Sequence, residues 1–186
     1  MSQPMEDLCK ELLPHLVPSS GLDDEALENT PRRWAEGLLE LTRGYLVNVP
    51  DVLKRQFEED NKEMVLVKDI RYYSLCKHHI LPFTGTIAIA YIPDGQVVGL
   101  SKLHRLVYAY SRRLQMQETL VKEIAEALVT YVHVHGAMVV ATGVHTCCSA
   151  RGAESSGVMI TSAIRGAFEE PSVKSEALRL MGLGNA

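Results

Sequence analysis

The chain has 186 residues, 46% of them apolar and 23% charged, with a formal net charge of −4. That length suffices for one domain burying roughly 70% of its unfolded surface. The acidic balance gives no general attraction to nucleic acid or to an anionic membrane surface. No run approaches the ~18 apolar residues of a membrane span, and the start Met1-Ser2-Gln3-Pro4 lacks a signal-peptide pattern, so a cytoplasmic location is expected. In a reducing compartment the four cysteines point to metal binding or catalysis ahead of disulfides.

Leu8, Leu12, Leu13 and Leu16 recur at helical spacing over residues 5–17, with Pro14 expected to kink or shorten that helix. Pro18-Ser19-Ser20-Gly21 reads as a linker. Asn29-Thr30-Pro31 is the expected start of a second helix, a capping residue followed by proline at the first helical position. Trp34, Leu38, Leu41 and Tyr45 form its apolar stripe. Residues 46–62 are less periodic and close in Glu58-Glu59-Asp60-Asn61-Lys62, read as a solvated loop.

From residue 64 the pattern changes. Residues 64–70, 85–92 and 96–100 are short β-branched runs punctuated by Pro82, Gly85 and Pro93-Asp94-Gly95, which fits antiparallel strands with a tight turn at 93–95. Ser101 is expected to cap a helix reaching residue 114, with Leu103, Leu106, Val107, Tyr110 and Leu114 inward. Gln117 opens another, with Leu120, Ile124, Leu128 and Tyr131 inward, and Gly136 ends that region. Residues 138–145 and 158–164 read as two more strands. The order ββααββ behind a helical N-terminal segment argues an α+β fold with an antiparallel sheet, divided at residues 1–62 and 63–186.

Two runs mix thiol and imidazole: Ser74-Leu75-Cys76-Lys77-His78-His79 and Val144-His145-Thr146-Cys147-Cys148. A turn or strand end can aim Cys76 and His79 at one point. His145 and Cys147, two apart, would share one face of a strand, and on that reading Cys148 is a buried core thiol. Thiolate and imidazole are the ligands zinc prefers. There is one imidazole more than a three-ligand site needs, and the surplus suggests chemistry. The plainer reading is scattered core cysteines and surface histidines; two clusters, each with a further His, weigh against it.

These runs, with Pro82-Phe83-Thr84-Gly85, Ala90-Tyr91-Ile92-Pro93, Gly99-Leu100-Ser101-Lys102, the stretch from Ser111 to Glu118, and His145-Thr146-Cys147 through Arg151-Gly152, closely resemble GTP cyclohydrolase I. The resemblance spans about residues 64–152 and more loosely to 182. It implies a tunnelling fold and a homodecamer with active sites at subunit interfaces. It also implies opening of the GTP imidazole ring at C8, formate release and rearrangement to 7,8-dihydroneopterin triphosphate, with no redox or organic cofactor. By the same resemblance Cys76, His79 and Cys147 are the zinc ligands, with one position left open, the catalytic arrangement. His78 and His145 become proton-transfer groups, His145 mainly at the purine N7. Glu118 recognises the guanine N1 and N2 edge, with Gln117 also at the substrate. Lys102, Arg105 and Arg151, with Ser101 beside them, contact the triphosphate.

The chain departs from that pattern at Lys77, where glutamate is usual, and in a segment after Gly152 about one residue shorter. These departures keep open a ring-opening enzyme for a different purine nucleotide. A silenced paralogue binding purine or pterin is a third reading, opposed by retention of the whole residue set.

Overall fold

Alternation with period two runs through the longest strands and decides which residues meet on each side of one sheet. The computed structural model describes residues 3–18 and 21–184, and the chain divides into two units, Met1–Arg43 and Gly44–Ala186. Ser19 and Ser20 of the expected linker lie outside the described residues.

The first unit holds α1 (Gln3–Leu16), which continues through Pro14, and α2 (Asp24–Leu41). The second helix begins earlier than Asn29-Thr30-Pro31 predicts. Asp23 caps it, its Oδ1 accepting from Ala26 N at 2.8 Å, and Asp24 and Glu25 occupy the first turn, where the helix dipole favours negative charge. Pro31 therefore lies inside the helix, buried on one face with Ala35. Tyr45 falls outside the helix, exposed in the 3-10 turn Arg43–Leu46.

The second unit runs α3 (Val49–Leu53), β1 (Gln56–Glu58), β2 (Val65–Cys76), β3 (Pro82–Pro93), β4 (Gln96–Val98), α4 (Leu100–Ser111), β5 (Leu114–Gln115), α5 (Gln117–Tyr131), β6 (Val134–His145), α6 (Thr146–Ser149), β7 (Met159–Gly166) and α7 (Pro171–Met181). The main sheet has the order β5-β2-β3-β6-β7, antiparallel except for the short β5–β2 pairing. β1 and β4 form a separate two-stranded ribbon, so the polar run after residue 55 contains a strand that the sequence reading left as loop. The α+β class and the ββααββ order are as expected; the run 96–100 forms β4, shortened to Gln96–Val98 and paired with β1, and β5 is a short addition.

On one face of the sheet, Ile87, Ile89, Tyr91, Ala137, Val139 and Ala141 pack with Leu103, Leu106 and Val107 of α4 and Leu120, Ile124 and Leu128 of α5. On the other, Ala90, Met138 and Val140 pack with Phe168, Ala177 and Met181, the last two from α7, a helix the sequence reading did not anticipate. Some boundaries move. Gly99, not Ser101, is the N-cap of α4, and that helix stops at Ser111, because Leu114 and Gln115 pair with Leu75 and Cys76. Gly136 lies within β6, opposite Gly166.

Gly85 pairs with Gly143 across β3 and β6, and a Cβ on Gly85 would run into the Thr142 carbonyl and the Gly143 backbone. Overpacking against backbone cannot relax by a rotamer change and costs about 1–3 kcal/mol. Gly85→Ala should lower Tm by about 2–12 °C in a thermal melt; an unchanged melt would contradict this packing.

Candidate metal centre and active site

The ladder brings two strand ends together. Phe83 of β3 pairs with Ser74 of β2 on one side and with His145 of β6 on the other. Cys76 at the end of β2 thus comes close to α6, which follows β6 directly.

Beyond Cys76 the chain turns back on itself. The Cys76 carbonyl accepts from His79 N at 3.2 Å and Ile80 N at 2.8 Å, while Cys76 N donates to Leu81 O at 2.8 Å. Ile80 adopts a φ of 55°, a left-handed conformation unfavourable for a β-branched residue. This turn sets His79 Nδ1 3.8 Å and His78 Nδ1 4.0 Å from Cys76 Sγ. Lys77 lies in the same turn and is exposed.

On the other side, β6 gives way to one helical turn, pinned to β3 by Thr146 Oγ1 donating to Pro82 O at 2.6 Å. Here the expected strand does not continue. Successive residues on a helix diverge by about 100°, so Cys147 is half-buried towards Cys76 while Cys148 is exposed. Cys148 is not the core thiol that strand alternation predicts.

The ligand atoms of Cys76, His79 and Cys147 all lie within 4.8 Å of one another. Ligands 2.0–2.3 Å from a common tetrahedral centre would be separated by about 3.3–3.8 Å, so the group needs only a small contraction to close on an ion. Burial, followed by the hydrogen bond and charge of Cys76, pushes the Cys147 thiol pKa up. A bound cation reverses that balance by stabilising thiolates. Two thiols and an imidazole therefore fit a zinc-like ion in both spacing and donor chemistry.

His145 is held by two independent contacts. Its ring stacks on Phe83, with centroids 4.4 Å apart and planes at 8°, and its Nε2 lies 3.1 Å from Gln117 Oε1. Burial lowers its pKa, opposed by the negative charge of Glu118. Gln117 and Glu118 open α5 at this end of the sheet; Glu118 is exposed, whereas Gln117 is fully enclosed. Tyr72, buried on β2, donates to Gln117 Oε1 at 3.1 Å. Neither Tyr72 nor Gly143 stands out in the sequence reading. A glycine inside the strand run 138–145 was the available signal, since it marks close approach of another group.

The structure thus gathers Cys76, His78, His79, His145, Cys147, Gln117 and Glu118. Ser101, Lys102 and Arg105 stand on a different element, α4. Those residues lie in the first half of α4, whose other end leads to Arg113, hydrogen-bonded through its carbonyl to Leu75 N at 3.3 Å. At 1.5 Å per residue, Ser101 sits about 15 Å back along the helix from its C-terminal end. Arg151 lies four residues after Cys147 in the exposed segment 151–158.

Fold and site together define an α+β protein with a Cys–His–Cys group able to hold a metal and two further imidazoles beside it. The family model described as GTP cyclohydrolase I matches residues 6–182. The chain is 43% identical over 183 residues to GTP cyclohydrolase 1 of Methylococcus capsulatus, covering 96% of this chain and 99% of that protein. It is 46% identical over 161 residues to GTP cyclohydrolase 1 of Saccharomyces cerevisiae, covering 85% of this chain and 66% of that protein. The solved apo structure of the archaeosine synthase QueF-Like aligns with a TM-score of 0.49 at 18% identity, over 59% of this chain and 98% of that one. The chain belongs to the GTP cyclohydrolase I family, a family of hydrolases.

Cys147→Ser should lose bound metal while Cys148→Ser retains it, as read by elemental analysis of the purified proteins. The reverse pattern would place the wrong thiol at the metal.

Proposed function

We propose that this protein is a zinc-dependent GTP cyclohydrolase I: one water is consumed, the guanine imidazole ring opens at C8, formate leaves, and the remainder closes to 7,8-dihydroneopterin triphosphate. The observation that carries the reading is the Cys76–His79–Cys147 group with His78 and His145 at its side. Zinc, when bound there, supplies Lewis acidity and activates water near neutral pH. His145 protonates the purine N7 and so draws electrons from C8; His78, exposed and next to Cys76, is a second proton carrier. Glu118 accepts from the N1 and N2 donors of guanine, a pair adenine does not offer.

The triphosphate needs fixed cations. Ser101, Lys102 and Arg105 stand about 9–15 Å back along α4 from the end that meets β2. This supports a homo-oligomer, a decamer by the family resemblance, in which these residues reach the metal group of a neighbouring copy and Arg151 joins them. The division of the chain into an N-terminal helical segment (1–62) and a tunnelling-fold catalytic domain (63–186) is part of the same proposal. So is a cytoplasmic location; among the described residues no helix is long and apolar enough to cross a membrane. The exposed position of Lys77 weakens one of the two departures behind a different purine substrate.

Incubation of the purified protein with GTP should release formate together with a fluorescent pterin after oxidation. Binding without turnover would favour a silenced paralogue, and turnover of another purine nucleotide over GTP would favour the different-purine reading. Glu118→Gln, which sets donors against the guanine donors, should lower kcat/KM for GTP by about 30- to 1000-fold, or roughly 2–4 kcal/mol. Unchanged kcat/KM would remove Glu118 from the base site.

A further inference from the structure

Gln117 is the polar side chain on which the interior of this site converges. Its Nε2 lies 3.1 Å from Ala141 O, 3.0 Å from Met159 O and 3.1 Å from Thr161 Oγ1. Backbone carbonyls only accept hydrogen bonds, so the amide nitrogen must face them and the amide cannot be flipped. The oxygen Oε1 then faces the other way, 3.1 Å from Tyr72 OH and 3.1 Å from His145 Nε2. An amide oxygen also only accepts. His145 Nε2 must therefore donate to it and carry a proton, while the single Tyr72 proton is shared between this oxygen and Thr142 O at 3.3 Å.

We propose that Gln117 is a positioning residue that holds neutral His145 in its Nε2–H form and so leaves Nδ1 as the nitrogen that works on the substrate. The inference deepens the assignment of His145 as a proton-transfer group and rests on it. Two constraints act on the ring. Stacking on Phe83 at 4.4 Å fixes its plane, while the Gln117 oxygen fixes its rotation within that plane. With Nε2–H engaged by Gln117, Nδ1 is the ring nitrogen left without a protein partner among the described hydrogen bonds. Gly143 is part of the device, because a Cβ there would occupy the space of Gln117 Oε1 and Tyr72 OH. Gln117 is fully enclosed and reaches the chemistry only through His145.

The test reads the ring directly. Full-length, zinc-loaded protein labelled with 15N-histidine is examined by solid-state NMR at a pH where the ring is neutral, and His145 is assigned from the signals missing in His145→Asn. The expected spectrum shows a protonated Nε2 and a bare Nδ1. Gln117→Met, close in size but without an acceptor, should lose that preference. Its kcat for GTP should fall at least ~10-fold while KM stays within about threefold and zinc content is kept. Tyr72→Phe leaves the Nε2 donors of Gln117 in place, so it should keep the Nε2–H ring and lower kcat only about two- to fivefold.

A protonated Nδ1 in the unsubstituted protein would overturn the inference, as would unchanged kcat or an unchanged spectrum in Gln117→Met. If Gln117→Met does not fold, the spectrum of the unsubstituted protein decides alone. Formate release from GTP with an Nδ1–H ring would refute this inference and leave the proposed reaction standing. An Nε2–H ring in a protein that does not open GTP would refute the reaction and leave the hydrogen bond standing.

Discussion

The register of β3 against its two neighbours is the constraint on which the site depends. Phe83 faces Ser74 across one ladder and His145 across the other, so one residue sets the separation between the two halves of the thiol and imidazole group. A slip of one residue in either ladder would turn every side chain of the slipped strand to the opposite face. The core resists such a slip, because Ile87, Ile89 and Tyr91 would exchange places with Ala88, Ala90 and Ile92. Large residues would then leave the α4 and α5 side, and the cost is several buried side chains at about 1.5–3 kcal/mol each. Metal-binding geometry is in this sense a consequence of hydrophobic patterning further along the strands, away from the cysteines.

The same ladder makes room for buried polar groups. Gly85 and Gly143 face each other where β3 and β6 approach closely. The gap at Gly143 is filled by the Gln117 amide and the Tyr72 hydroxyl. A buried amide without partners would be costly, and here each of its polar atoms is engaged. These bonds tie α5 to β2, β6 and β7 at the end of the sheet where the ligands sit.

How much of this was legible follows from length and burial. The long strands and the helices α4 and α5 announce themselves by sustained periodicity, and the thiol and imidazole runs by residue type. Shorter pieces do not repeat often enough to be recognised: β1 has three residues, β5 two, and α6 four. The turn at Thr146–Ser149 is held by a hydroxyl bonding across to Pro82, a contact 64 residues apart in sequence, and for that reason strand alternation misplaced Cys148. At α2 the cap is Asp23, with acids in the following turn, and not the expected Asn29-Thr30-Pro31 start. The missed α7 did carry a signal, with Pro171 at its first position and Gly182 in the left-handed conformation after its end. Gln117 reads in the sequence as one more polar residue at a helix start, because nothing local reveals that it is sealed from solvent.

The two ends of the proposed site make different physical demands, and the fold meets them differently. Recognising a base edge and delivering a proton to one ring nitrogen require groups held within a fraction of an ångström. Those groups stand on strand ends and on the first turn of α5, and His145 is fixed by both stacking and a hydrogen bond. A triphosphate is recognised largely by charge, which acts over several ångströms and tolerates long, exposed cationic side chains. Ser101, Lys102, Arg105 and Arg151 can therefore meet their ligand without being built into the same core as the metal ligands. Under the proposed assembly, base identity is decided within one subunit and the phosphate grip is completed by association. Under that assembly an isolated chain would keep the metal group and the Gln117–His145 pair while lacking the α4 cations of a neighbouring copy.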